Sequence, residues 1–413
     1  MGREEARERQ SPEHVQNKTY KSDVEFAMQL CHCLLKIIGT WPVTSGASRM
    51  EKIRPKILIA TCCFLLGFLI VPCWLNVLLK EDDGWLRLKM LGPLNFCTMA
   101  LMKYCVLISH GNGITHCIRF VETDWRNVKF DEDWKIMMRN AKLGRYVTIL
   151  CFVFMYSAGT FFSLVMPLTS GNPLPDSNVS VRPFNFPGYY VFFDAQPSPN
   201  YEVVFSLHFI CTFVMFTTTT GIYSLAIMLV MHACGQFQIV MSRLENLVNG
   251  NERECDTPEE RLTVIVEHHL RIFRFSARME KALHQIWLVE VMSCTTSICF
   301  AGYYLMREWK HSERISVLTY ISLLVSFIFN IFMLCYIGEI LIEQCRKIGT
   351  ISYMINWYDL PKRKALDLVL VIAISNRVTK MTAGKFMDLT LSNFCTILKA
   401  SMAYFNMLRN MTT

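Results

Sequence analysis

Few residues of this chain have the type and spacing for covalent or metal chemistry. Glu267-His268-His269 sets three titratable side chains in a row, but zinc hydrolysis on a helix needs two histidines four apart, and no further ligand stands at a suitable spacing. Ala383-Gly384-Lys385 lacks the upstream glycine and the Ser or Thr of a phosphate loop. No G-x-S-x-G elbow occurs, and no acidic pair lies deep in two apolar segments as intramembrane proteolysis would require. The 17 cysteines are dispersed, with no doubled CxxC spacing, which argues against a zinc site or a disulfide scaffold. The expectation is a protein that is not an enzyme and uses no metal or cofactor.

What remains is polarity in apolar surroundings. Met381–Met411 is hydrophobic enough to enter a bilayer, yet carries Asn393, Thr396, Lys399, Ser401 and Asn406. At about 100° per residue, Asn393, Thr396, Ala400, Ala403, Met407 and Met411 share one narrow stripe, polar or small at its start and ending in two methionines. Such a stripe suits a water-facing channel wall with a hydrophobic constriction. It equally suits close helix packing through small residues. This stretch alone leaves both readings open.

The elements that must position it follow from composition. Of 413 residues, 52% are hydrophobic and 18% charged, whereas a soluble domain is nearer about a quarter charged. The chain therefore reads as an all-α polytopic membrane protein. Spans are expected at 57–79, 91–109, 146–168, 203–231, 286–306 and 315–341, with the last stretch as the seventh. Residues 1–56 carry no signal peptide and form a basic segment with a short amphipathic helix before Trp41-Pro42, expected at the membrane surface. Residues 57–341 hold the first six spans with helical extensions, 342–380 an anchor segment, and 381–413 the last helix with a short tail. Within the extensions, Thr257-Pro258-Glu259-Glu260 is a capping box that starts a helix running into the fifth span. Arg363–Val378 is too short to cross and is expected in an inner helical domain. Lys103 reads as snorkelling or facing a polar interior, and Glu290 as solvated or paired near the interface.

Charge sets the orientation. The N-terminus and the segments 110–145, 232–285 and 342–385 hold 32 of the 42 Lys and Arg residues, against 8 in the alternate set. The positive side is cytoplasmic, so the N-terminus is inside and the C-terminus outside. The net charge of +8 thus serves orientation rather than nucleic-acid binding. Asn178-Val179-Ser180 then lies in an outer loop as a glycosylation acceptor. This topology is opposite to that of a G-protein-coupled receptor, and the predicted outer loops contain no cysteine.

The final third carries a family pattern. Trp357-Tyr358-Asp359-Leu360-Pro361, then Met381-Thr382-Ala383-Gly384-Lys385-Phe386, then Leu398-Lys399-Ala400-Ser401-x-x-Tyr404-Phe405 follow the order and spacing of insect odorant receptors. The chain resembles their ligand-specific, tuning members. It lacks the closing Gln-Phe of the related gustatory receptors, and His232–His284 is shorter than the corresponding connection of the co-receptor.

The resemblance implies an odorant-gated cation channel subunit that works with the co-receptor in a heterotetramer at the plasma membrane and needs no G protein. It implies an inner assembly region including Trp357, Tyr358, Leu366 and Leu370. It also implies a central pore lined by the last helix, with a hydrophobic gate at Met407 and Met411. Volatile ligands would bind in the outer half of the spans, a level that here holds Phe96, Met99, Tyr156, Phe161, Phe162, His208, Thr212, Met215, Tyr303 and Tyr320. The alternatives are a gustatory-type channel and a metabotropic seven-span receptor without its own pore.

Overall fold

The computed structural model describes residues 19–43, 46, 48–82, 84–165, 184, 186–248, 257–311, 314–377 and 379–412. Asn178 lies outside the described residues. Among the described residues, ten α-helices follow in order: α1 Tyr20–Ile37, α2 Arg49–Leu75, α3 Gly84–Ser109, α4 Gly111–Asn127, α5 Asp131–Thr160, α6 Asn200–Glu245, α7 Pro258–His311, α8 Arg314–Met354, α9 Lys362–Ser375 and α10 Leu391–Thr412. Six of them, α2, α3 and α5 to α8, are long and apolar enough to cross a membrane. With α10, which has 22 residues, they form the helical bundle expected of a multi-pass membrane protein.

α6 is the axis of the bundle. It is apolar around its whole circumference, as a helix enclosed on all sides must be. Its run Thr217–Thr220 is buried, and three of the four hydroxyls are hydrogen-bonded, with Thr220 Oγ1 alone lacking a partner among the described residues. Thr217 and Thr218 donate to the carbonyls of Phe213 and Val214, one turn back, at 2.7 and 2.8 Å. α7 is one continuous helix of 54 residues from Pro258, as its capping sequence predicts. α2 begins with a further capping box, in which Glu51 N–H donates to Ser48 Oγ and Ser48 N–H to Glu51 Oε2.

Two sequence expectations are corrected. α1 is not merely laid on a surface: Met28, Cys31, Leu34 and Leu35 are buried where it packs on α6 and α5. The last helix begins at Leu391 rather than at Met381, because the ten residues before it form a tight hairpin, β1 Thr382–Ala383 against β2 Met387–Asp388. Its turn needs two residues in left-handed backbone, Gly384 (φ 61°) and Lys385 (φ 65°), which a helical reading of Ala383-Gly384-Lys385 overlooks.

The hairpin fixes the base of α10. Gly384 N–H donates to the His284 carbonyl of α7 at 2.8 Å, and Leu391 N–H to Glu339 of α8 at 3.1 Å. Thr382 donates to the Glu280 carboxylate through both its N–H and its hydroxyl. Burial pushes the Glu280 carboxyl upward, and the two Thr382 bonds oppose that shift.

Candidate functional site

A small cavity of about 60 Å³ lies between α3, α5, α6, α7 and α8. Its lining is almost wholly apolar. Phe96 of α3 forms its centre, with its ring 5.7 Å from that of Phe216 and 5.8 Å from that of Phe327. Close helix approach makes this possible. Gly159 of α5 faces Phe216, and a Cβ there would meet the ring at 2.0 Å.

Five of the ten ligand positions inferred above, Phe96, Phe162, Thr212, Met215 and Tyr320, come together on this cavity. The other five lie elsewhere. Tyr156 faces Thr217, its hydroxyl 2.7 Å from Thr217 Oγ1, and stacks on Phe152. Tyr303 is buried against Tyr304, one layer behind the wall. Phe161 is exposed and Met99 half-buried, both off the lining. His208 is buried and bonds the Tyr190 hydroxyl at 2.8 Å, which anchors the connection between α5 and α6. That loop supplies Phe186, which is buried on the cavity and set edge-on to Phe162 and His208. Sequence reasoning missed Phe186 because it sits in a connection rather than a span. It also missed Tyr304, whose hydroxyl accepts from Gly92 N–H and donates to the Leu88 carbonyl, joining α7 to α3.

The last helix touches the same wall. Phe405 and Leu408 of α10 pack on a cluster of Tyr303, Tyr304 and Tyr320, two of which line the cavity. Ile397 and Ser401 continue this buried side. The stripe lies roughly a third of a turn away. Thr396, Ala403, Met407 and Met411 are exposed, the two methionines by 61% and 74%, while Asn393 and Ala400 are half-buried. Asn393 is spent locally, donating to the Asp388 carbonyl at 2.7 Å. Trp357, Tyr358, Leu366 and Leu370 stand exposed around α9.

Beyond the spans, the titratable groups pair into a structural network. Asp124 lies 3.0 Å from His232 and 2.7 Å from Arg271, and Asp133 lies 2.8 Å from Arg243. His268 bonds Gln236, and His269 packs edge-on to Phe237 and Phe273. Among the described residues, no three His, Cys, Asp or Glu side chains come together to hold a metal ion.

Comparison with known proteins gives one answer. The 7tm Odorant receptor family profile matches residues 87–402. The chain is 23% identical to odorant receptor 13a of Drosophila melanogaster, over 91% of this chain and 93% of that protein. It is 23% identical to odorant receptor 10 of Aedes albopictus, over 52% and 57% of the two chains. Its fold is similar to that of the olfactory receptor OR5 of Machilis hrabei, alone (TM-score 0.79, 14% identity) and in complex with eugenol (TM-score 0.76, 14% identity). Both alignments cover 95% of this chain, and 99% and 100% of those chains. The chain belongs to the 7tm odorant receptor family, as its C-terminal motifs led us to expect.

Proposed function

We propose that this chain is the odour-binding subunit of an odorant-gated, non-selective cation channel. It assembles with the odorant co-receptor as a heterotetramer in the dendritic plasma membrane of olfactory sensory neurons. The N-terminus is cytoplasmic, the inner region around Trp357, Tyr358, Leu366 and Leu370 joins the subunits, and α10 lines the pore. Small neutral volatile molecules bind the aromatic cavity, in keeping with the eugenol complex of the related OR5. One observation carries the reading. Phe405 and Leu408 pack against the cluster of Tyr303, Tyr304 and Tyr320, of which the last two line the cavity, and these two residues flank Met407 in sequence. A ligand that binds more tightly when those tyrosines shift can thereby bias the helix that bears the gate. A full switch needs roughly 5 kcal/mol of differential affinity, shared among the subunits.

Whole-cell recording with and without the co-receptor, under an odorant panel and without guanine nucleotides, tests this. Odorant-evoked cation current is expected only with the co-receptor and without the nucleotide. Current that requires the nucleotide would make the chain a metabotropic receptor. Glycosylation mapping checks the topology: modification is expected at Asn178, and modification at Asn17 instead would reverse it.

A further inference from the structure

In the cavity just described, one polar atom is unaccounted for. Buried hydroxyls on helices ordinarily donate to the carbonyl one turn back. Thr212 does so, reaching the His208 carbonyl at 2.8 Å. Ser326 donates across to the Phe154 carbonyl of α5 at 3.3 Å, and the Tyr304 hydroxyl is held between Gly92 and Leu88. Ser297, in the middle of α7, differs. Its side chain is 4% exposed and lines the cavity, and its Oγ has no hydrogen-bond partner. The neighbouring Thr296 spends its hydroxyl on the carbonyls behind it, Met292 at 2.8 Å and Ser293 at 3.1 Å. Thr296 is held in that position by Asn95 of α3, whose Nδ2 donates to it at 2.8 Å. Ser297 Oγ is thus the buried lining oxygen without a partner among the described residues.

We propose that Ser297 is the specificity-determining group of this cavity. Its ligand class is an uncharged, mainly apolar molecule carrying one oxygen function, a hydroxyl or a carbonyl, positioned to exchange a hydrogen bond with Ser297 Oγ. This rests on the reading of the cavity as the odorant site. Two physical arguments support it. A buried hydroxyl without a partner carries a desolvation cost, which a ligand oxygen removes and a hydrocarbon of the same shape leaves in place. The lining also contains no charged side chain, so a carboxylate or ammonium ligand would lose its hydration with nothing to replace it.

The test is concentration–response recording of the receptor with its co-receptor, using matched pairs: 1-octanol against n-nonane, 2-octanone against 2-methyloctane, and 4-ethylphenol against 4-ethyltoluene. At least one oxygenated member is expected to be about 3- to 10-fold more potent than its hydrocarbon partner, the factor expected for one net hydrogen bond. Ser297→Ala is expected to remove that difference, lowering oxygenated potency while leaving the hydrocarbon equal or improved. Ser297→Thr, which keeps the hydroxyl, is expected to retain part of it. Equal potencies within every wild-type pair, or a Ser297→Ala variant that keeps the preference, would overturn the proposal. Met215→Trp, which fills the cavity, separates the two levels of inference. If it leaves every response unchanged, the cavity is not the odorant site, whereas if it silences the pairs and Ser297→Ala does not alter their ranking, only the assignment to Ser297 fails.

Discussion

The ammonium of Lys103 on α3 lies 2.7 Å from the carboxylate of Glu290 on α7, with the two side chains 1% and 3% exposed. Thr219 accepts a further bond from Lys103 at 3.1 Å, and Tyr223 donates to Glu290 at 3.1 Å, so the pair joins three helices. The Lys103 ammonium also stands 5.8 Å from the ring of Phe96. A buried pair of this kind adds little net energy while intact but is costly to break from one side. Lys103→Met or Glu290→Gln is therefore expected to destabilise the fold by about 3–5 kcal/mol. The double change to Met at both positions should recover much of that loss. Thermal unfolding of the detergent-solubilised receptor measures it, and single variants as stable as the parent would refute the account.

Gly159 sets the shape of the cavity through Phe216. Gly159→Ala should displace the Phe216 ring and with it the tilted ring contact with Phe96, because the added Cβ would overlap the ring. Odour preference should be reordered, with potency for the best ligands falling tenfold or more, while surface expression stays near the parent level. An unchanged potency ranking would count against the cavity as the ligand site.

Phe405 is expected to carry binding into opening. Phe405→Ala removes the ring that rests on the cavity tyrosines. Maximal odorant-evoked current should drop severalfold, with a smaller change in the concentration for half-maximal response. A pure loss of potency at full maximal current would place the coupling elsewhere.

Met407 and Met411 should behave in the opposite sense. Changing them to Thr wets the constriction and is expected to raise basal current or alter conductance, with odour preference largely intact. Single-channel recording decides it, and altered ligand ranking without altered conductance would remove these residues from the pore.

Acid should loosen the helical extensions beyond the spans. An unfolded histidine titrates near 6.5. Burial holds His269 down to about 4, and burial together with Arg243 and Arg271 holds His268 down to about 3. Between those values and 6.5 the unfolded chain binds more protons, so stability rises with pH through that window and levels off above it. Going from pH 7 to pH 5 should cost up to about 2 kcal/mol for the fully buried His269, and less for His268, which keeps one edge on a polar pocket. The melting temperature is expected to fall accordingly, and His269→Phe to flatten the slope. A variant with the parental pH profile would contradict this.

The helices were legible because their signals are local. Apolar runs mark the six long spans, and Thr257-Pro258-Glu259-Glu260 marks the start of α7. The hairpin before α10 was not legible, since a short apolar run with one Gly-Lys pair fits either a helix or a turn, and its contacts to His284 and Glu280 are distant in sequence. The cavity was half legible. Membrane depth can be counted along a span, which brings Phe96, Phe162, Thr212, Met215 and Tyr320 to the right level. Which side of a helix faces inward depends on partners in other elements of the chain. Thus Tyr156 turns to Thr217, and His208 holds a loop instead of lining the site. The pairing of Lys103 with Glu290 is of the same kind: each residue stood out alone, and nothing in the intervening chain joins them.

The hairpin also has a mechanical meaning. It clamps the first turn of α10 to two long helices, so that helix is held as a beam fixed at one end. Leu391 to Met411 spans about 30 Å at the usual rise. A tilt of only about 5° at the clamp carries the far end through roughly 2.6 Å, close to the width of a water molecule, while the base scarcely moves. A rearrangement around Tyr304 and Tyr320 that displaces Phe405 and Leu408 thus carries Met407 and Met411 with it.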